Sequence, residues 1–114
     1  MKNGLYKVAF QTQLGHGSGV ATVNAGRLSG GDTLMAYNGT IEPAPGVGVY
    51  AMRLDIFKHS DLPGYPSILG SERADLLVSV KLAADGRQAS GQGSTPQAPG
   101  VSFRVTMSLI AAHD

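Results

Sequence analysis

Five residues near the C-terminus, Val101, Phe103, Val105, Met107 and Leu109, alternate one for one with Ser102, Arg104, Thr106 and Ser108. Successive side chains of a strand point to opposite faces, whereas a helix gathers residues three and four apart. This pattern therefore commits the segment to a strand with one buried side. The same period recurs in Tyr6, Val8 and Phe10 against Lys7, Ala9 and Gln11, and in Tyr50, Met52, Leu54 and Ile56 against Ala51, Arg53 and Asp55. Leu76, Val78, Val80 and Leu82 against Leu77, Ser79 and Lys81 make a fourth face, and Met35, Tyr37 and Ile41 with Gly39 make a fifth.

Turn signals separate these runs. Asn24-Ala25-Gly26, Ser29-Gly30-Gly31-Asp32, Asp85-Gly86 and Pro99-Gly100 supply residues that tolerate positive φ or pre-set a turn, as tight hairpins demand. With 16 glycines and 6 prolines in 114 residues, a helical bundle is disfavoured, while 42% hydrophobic residues and a net charge of +1 favour folding over disorder. The spacing predicts seven or eight strands, near 4–11, 17–23, 26–29, 33–41, 47–57, 75–83, 87–94 and 100–110. The small residues Ala89, Gly91 and Gly93 mark a weak strand passing close to another backbone, at a rim of the sheet. The irregular stretch His59 to Arg73 has room for at most a short helical turn over Pro66 to Leu69. Strands joined by tight turns without crossover helices predict one all-β domain over 1–114, an antiparallel up-and-down barrel that leaves no exposed sheet edge.

Zero cysteines exclude disulfides, thiol nucleophiles, Cys-ligated zinc and iron–sulfur clusters. Nine basic and eight acidic residues balance, with no basic cluster to drive counterion release, so direct nucleic-acid binding is not expected. The N-terminus lacks the apolar run of a secretion signal, and no stretch of roughly 18 apolar residues predicts a membrane span, so cytoplasm is the expected compartment.

Four arrangements bear on chemistry. Gly15-His16-Gly17-Ser18-Gly19-Val20 has the glycine density of a phosphate-cradling loop but lacks a following Lys-Ser/Thr pair, the fingerprint spacing and a helix, and is expected to be a turn and strand start. His59, Ser60 and Asp61 are the residue types of a hydrolase triad, yet adjacent side chains do not easily converge as nucleophile, base and orienter. Histidines at 16, 59 and 113 lack metal-ligand spacing. Arg53 and Asp55 are expected to be a solvated same-face pair. No catalytic residue, metal or cofactor is expected.

Tyr6, Val8, Phe10, Met35, Tyr37, Tyr50, Met52, Leu54, Phe103, Val105 and Met107 fall on the inward stripes. An eight-stranded barrel either fills with such side chains or holds one small apolar ligand, and the sequence leaves both open. Leu5, Leu34 and Leu77 are expected on outward faces, where self-association into a homodimer would cover them.

The run Leu28-Ser29-Gly30-Gly31-Asp32-Thr33-Leu34-Met35-Ala36-Tyr37-Asn38-Gly39-Thr40-Ile41 resembles the GrlR-like family, small bacterial proteins named for a negative regulator of type III secretion genes. The opening Lys2-Asn3-Gly4-Leu5-Tyr6-Lys7-Val8-Ala9-Phe10 and the strand start Gly17-Ser18-Gly19-Val20 share the likeness, which extends from Met1 to Phe57. The resemblance implies a lipocalin-like barrel, usually dimeric, with an apolar interior and no catalytic residues. It also implies a regulatory role through a protein partner, a transcription regulator. Where the regulator type carries an acidic loop, this chain has Glu42-Pro43-Ala44-Pro45-Gly46, with one carboxylate, as its candidate partner loop. A basic partner surface would find little complement there.

Overall fold

The computed structural model describes residues 1–61 and 73–113. Its strands are β1 (Gly4–Thr12), β2 (Gly15–Asn24), β3 (Arg27–Gly31), β4 (Met35–Pro43), β5 (Val49–Lys58), β6 (Arg73–Leu82), β7 (Gln88–Ser94) and β8 (Phe103–Ala112). Each pairs antiparallel with its neighbours in the chain, and β8 returns to β1, closing the all-β barrel in sequence order. No helix is present among the described residues. The expected helical turn at Pro66 to Leu69 lies outside them.

The turns explain the closure. Asn24 and Arg27 pair across Ala25 and Gly26, whose φ values of 50° and 80° form the mirror-image two-residue turn that matches the twist of paired strands. At the β6–β7 hairpin the Asp85 carboxylate accepts the Arg87 N–H at 2.9 Å, and the Gly86 N–H donates to the Ala83 carbonyl at 2.9 Å.

Several boundaries differ from expectation for local reasons. β2 begins at Gly15, so the glycine-rich run is a paired strand, with Gly15 opposite Thr12, Gly17 opposite Phe10 and Gly19 opposite Val8. β4 begins only at Met35, because Asp32 folds residues 32–34 into a turn. Glu42 and Pro43 end β4, paired with Ala51 and Tyr50, so the candidate partner loop narrows to the connection after Pro43. β7 is no rim but a full wall strand between β6 and β8; a Cβ added at Gly91 would overlap the Ser79 carbonyl, which is the close backbone approach expected of it.

The core occupies the barrel interior, with Tyr6, Met52, Met107, Val23 and Val80 fully enclosed. Burying each such side chain contributes roughly 1.5–3 kcal/mol. Leu34, expected on an outward face, is instead buried at 7% exposure, because the Asp32 turn tips it over the end of the barrel; Leu77 is exposed as expected and Leu5 is half-buried.

Antiparallel order gives the barrel two chemically different ends. Among the described residues, the connections after β1, β3 and β7 lie at the upper end, and both ends of the chain and the connections after β2, β4 and β6 lie at the lower end. The lower end is plugged. Tyr6 fills it and its hydroxyl donates to the Lys2 carbonyl at 2.6 Å, with Met1, Tyr50 and Leu82 packed against the core. The N-terminal segment is stitched across, the Asn3 side-chain oxygen accepting the Ala25 N–H at 3.1 Å and its carbonyl accepting the His113 N–H at 2.9 Å.

Candidate functional site

The upper end holds a cavity of about 280 Å³ that reaches the surface beside His16, Ser18 and Thr33. Its position follows from β2. Ala21 and Val23 are buried, so alternation turns Gly15, Gly17 and Gly19 inward as well, and these contribute no side chain to the upper interior. Val8, Met52, Leu54, Val105 and Met107 line the cavity more deeply, while Phe10, Met35, Tyr37 and Phe103 surround its upper part. Of the lining residues expected from the sequence, only Tyr6 and Tyr50 stand elsewhere, plugging the lower end. Their alternation was read correctly, but period two carries no information about which end of a barrel a side chain fills.

The polar feature of the upper end is built around Asp32. One carboxylate oxygen accepts the backbone N–H groups of Leu34 and Met35 at 2.9 and 2.7 Å, closing the β3–β4 turn, and the other accepts the Tyr37 hydroxyl at 2.5 Å. Gly19 makes room for this, since a Cβ there would stand 2.7 Å from the Tyr37 hydroxyl oxygen. The Tyr37 ring meets Phe10 edge to face, with centroids 5.5 Å apart at 89°. Burial, then the hydrogen bond to Asp32 and the negative charge beside it, hold the Tyr37 phenol far above its ordinary range. Burial also raises the Tyr6 phenol.

Asp32 thus ties its own turn to Tyr37 on the next strand, while Gly39, two residues on, serves a separate close approach to the Arg53 carbonyl of β5. Asp32, Leu34 and Leu28 escaped the sequence reading of the cavity, along with Ile56 and Leu76. For Asp32 a signal existed: an aspartate two and three residues ahead of backbone donors commonly closes a turn with its side chain.

The triad residues separate. The His59 Nε2–H donates to the Asp32 carbonyl at 2.8 Å, and Nδ1 lies within hydrogen-bond distance of the Ser60 hydroxyl at 2.7 Å. Histidine and serine meet, but Asp61 pairs with Lys58 at 2.6 Å, so the three do not converge as nucleophile, base and orienter. Asp55 likewise pairs with Arg73 rather than Arg53, through contacts of 3.1 and 2.6 Å, and Arg73 lies over the Phe57 ring at 5.8 Å. That pair is largely solvated and contributes little stability. Among the described residues no helix is long and apolar enough to cross a membrane, and no three His, Cys, Asp or Glu side chains gather as a metal site. Compared with known proteins, the chain matches no family model and no curated relative.

Proposed function

We propose that the protein is a non-enzymatic binding barrel that holds one small, largely apolar molecule in its upper cavity. The observation that carries this reading is the cavity itself: about 280 Å³, walled by aliphatic, methionine and aromatic side chains and open at one end. An engineered apolar cavity of roughly 150 Å³ takes up benzene, so by proportion this one suits roughly a dozen non-hydrogen atoms. Charged residues such as Arg53, Asp75, Lys81 and Arg104 stand on the outer faces, opposite to the apolar outer band of a lipid-embedded barrel, and this supports a water-bathed exterior.

The test is uptake of the neutral fluorophore 1-aminonaphthalene, which at about eleven non-hydrogen atoms matches the space. Val105→Phe should fill the cavity and weaken uptake by tenfold or more while leaving the thermal midpoint unchanged or raised. Equal uptake by both proteins would place the dye elsewhere and remove the reading.

A second reading, regulation through a protein partner as the GrlR-like resemblance implies, is favoured by the lower end of the molecule. Val47, at 94% exposure, forms the tip of the β4–β5 connection beside exposed Pro45. That stiff apolar tip suits contact with another protein, a transcription regulator under this reading, better than it suits DNA. Val47→Asp should abolish recovery of such a partner in pull-downs, and recovery unchanged by the substitution would count against the loop. Exposed Leu77 supports the proposed homodimer, which sedimentation at high protein concentration tests.

A further inference from the structure

We propose, building on the cavity reading, that the ligand carries a hydrogen-bond-donating head group, a hydroxyl or an amine, and that an apolar carboxylate is excluded. Among the described residues lining the cavity, Asp32 is the only one with an acidic or strongly basic side chain. No lysine or arginine belongs to that lining, and the sequence of 62–72 contains neither. Lys58 lies outside the lining, its ammonium group held by Asp61 at 2.6 Å.

The hydrogen-bonding capacity of the Asp32–Tyr37 pair points the same way, while the donor-bearing side chains His16, Ser18 and Thr33 stand at the exposed mouth. The Tyr37 hydroxyl spends its one proton on Asp32, so its oxygen offers only lone pairs to a further partner. The Asp32 carboxylate is an acceptor throughout, one oxygen already holding two backbone N–H groups and the other holding the phenol. A head group placed against this pair must bring its own hydrogen. An alcohol does so as a neutral donor; an ammonium adds attraction to the aspartate. A carboxylate brings lone pairs to lone pairs and a negative charge toward another in a partly desolvated site.

The experiment is displacement of 1-aminonaphthalene by decanol, decylamine and decanoate, which share one apolar chain, at pH 8, where free imidazole is neutral, and below micellar concentrations. Decanol and decylamine should displace the dye, with decanoate weaker by about tenfold or more. Asp32→Asn should narrow the gap between amine and carboxylate, and Tyr37→Phe should weaken decanol without strengthening decanoate. Decanoate binding as well as decanol in the unaltered protein would overturn the head-group assignment while leaving the cavity reading standing. Failure of the dye and all three chains to bind would overturn both. The unaltered protein alone decides between these outcomes, so the test survives if Asp32→Asn does not fold.

Discussion

The two ends of the barrel share strands, hydrogen-bond ladder and alternation, yet one is plugged and the other hollow. At the lower end Tyr6 is fully enclosed and its hydroxyl is tied to the chain's own N-terminal segment. At the upper end the inward positions of β2 are glycines, and Asp32, in the lining of the space, is spent on a turn and a phenol. The difference shows that closing a barrel and filling it are separate problems. Strand number and pairing solve the first, and the bulk of a few inward residues decides the second.

The largest expected effect tests that separation directly. Tyr6→Ala removes a ring from a packed site and should cost about 3–5 kcal/mol, the usual range for an enclosed aromatic. Phe10→Ala, on the same face of the same strand, removes a ring that already borders open space and should cost only about 1–2 kcal/mol. Urea unfolding of the two variants checks this. Equal losses would mean that the upper cavity is packed in solution and would dissolve the contrast between the ends.

Next in size is the aspartate. Asp32→Ala strands the Tyr37 hydroxyl and two backbone N–H groups together, with Leu34, Met35 and Tyr37 all buried, and should cost about 2–4 kcal/mol. The same unfolding measurement checks it. A loss below about 0.5 kcal/mol, the usual scale for a surface substitution, would show that the upper end does not depend on the turn that shapes its rim.

The sequence was informative where geometry is periodic and silent where it is not. Alternation in Tyr6 to Phe10, Tyr50 to Ile56, Leu76 to Leu82 and Val101 to Leu109 was enough to orient most of the core, because extended backbone leaves a side chain only two faces. The turn pair Ala25-Gly26 was legible because only a few residues accept its backbone angles. Gly17 and Gly19 are legible as part of a strand starting near 17, with Gly15 in the turn before it; the pairing with β1 carries the strand back to Gly15 and shows all three as inward positions. Leu34 was misplaced because period two was carried through a turn, where it no longer holds. The pairing of Asp55 with Arg73 rather than Arg53 depends on the register of β5 against β6, which places Asp55 opposite Asp75 and Phe57 opposite Arg73. Local sequence does not encode that register.

The smallest effect separates the two ends by pH. Both Tyr6 and Tyr37 are held above the ordinary phenol range, so each is neutral in the folded protein at pH values where the unfolded chain begins to ionise near pH 10. Above that point the folded state binds more protons than the unfolded state, so the stability each contributes is full below about pH 10 and is lost as pH rises beyond it. The cause differs between the ends. At the lower end burial raises Tyr6 while Arg87 partly offsets it; at the upper end burial and the Asp32 hydrogen bond and charge all act in the same direction on Tyr37. Thermal midpoints measured from about pH 9 to pH 11.5 should therefore fall on the alkaline side, and Tyr37→Phe should flatten that fall more than Tyr6→Phe. The reverse order would mean that the Asp32–Tyr37 pair does not persist in solution, and with it would go the paired acceptors on which the head-group assignment rests.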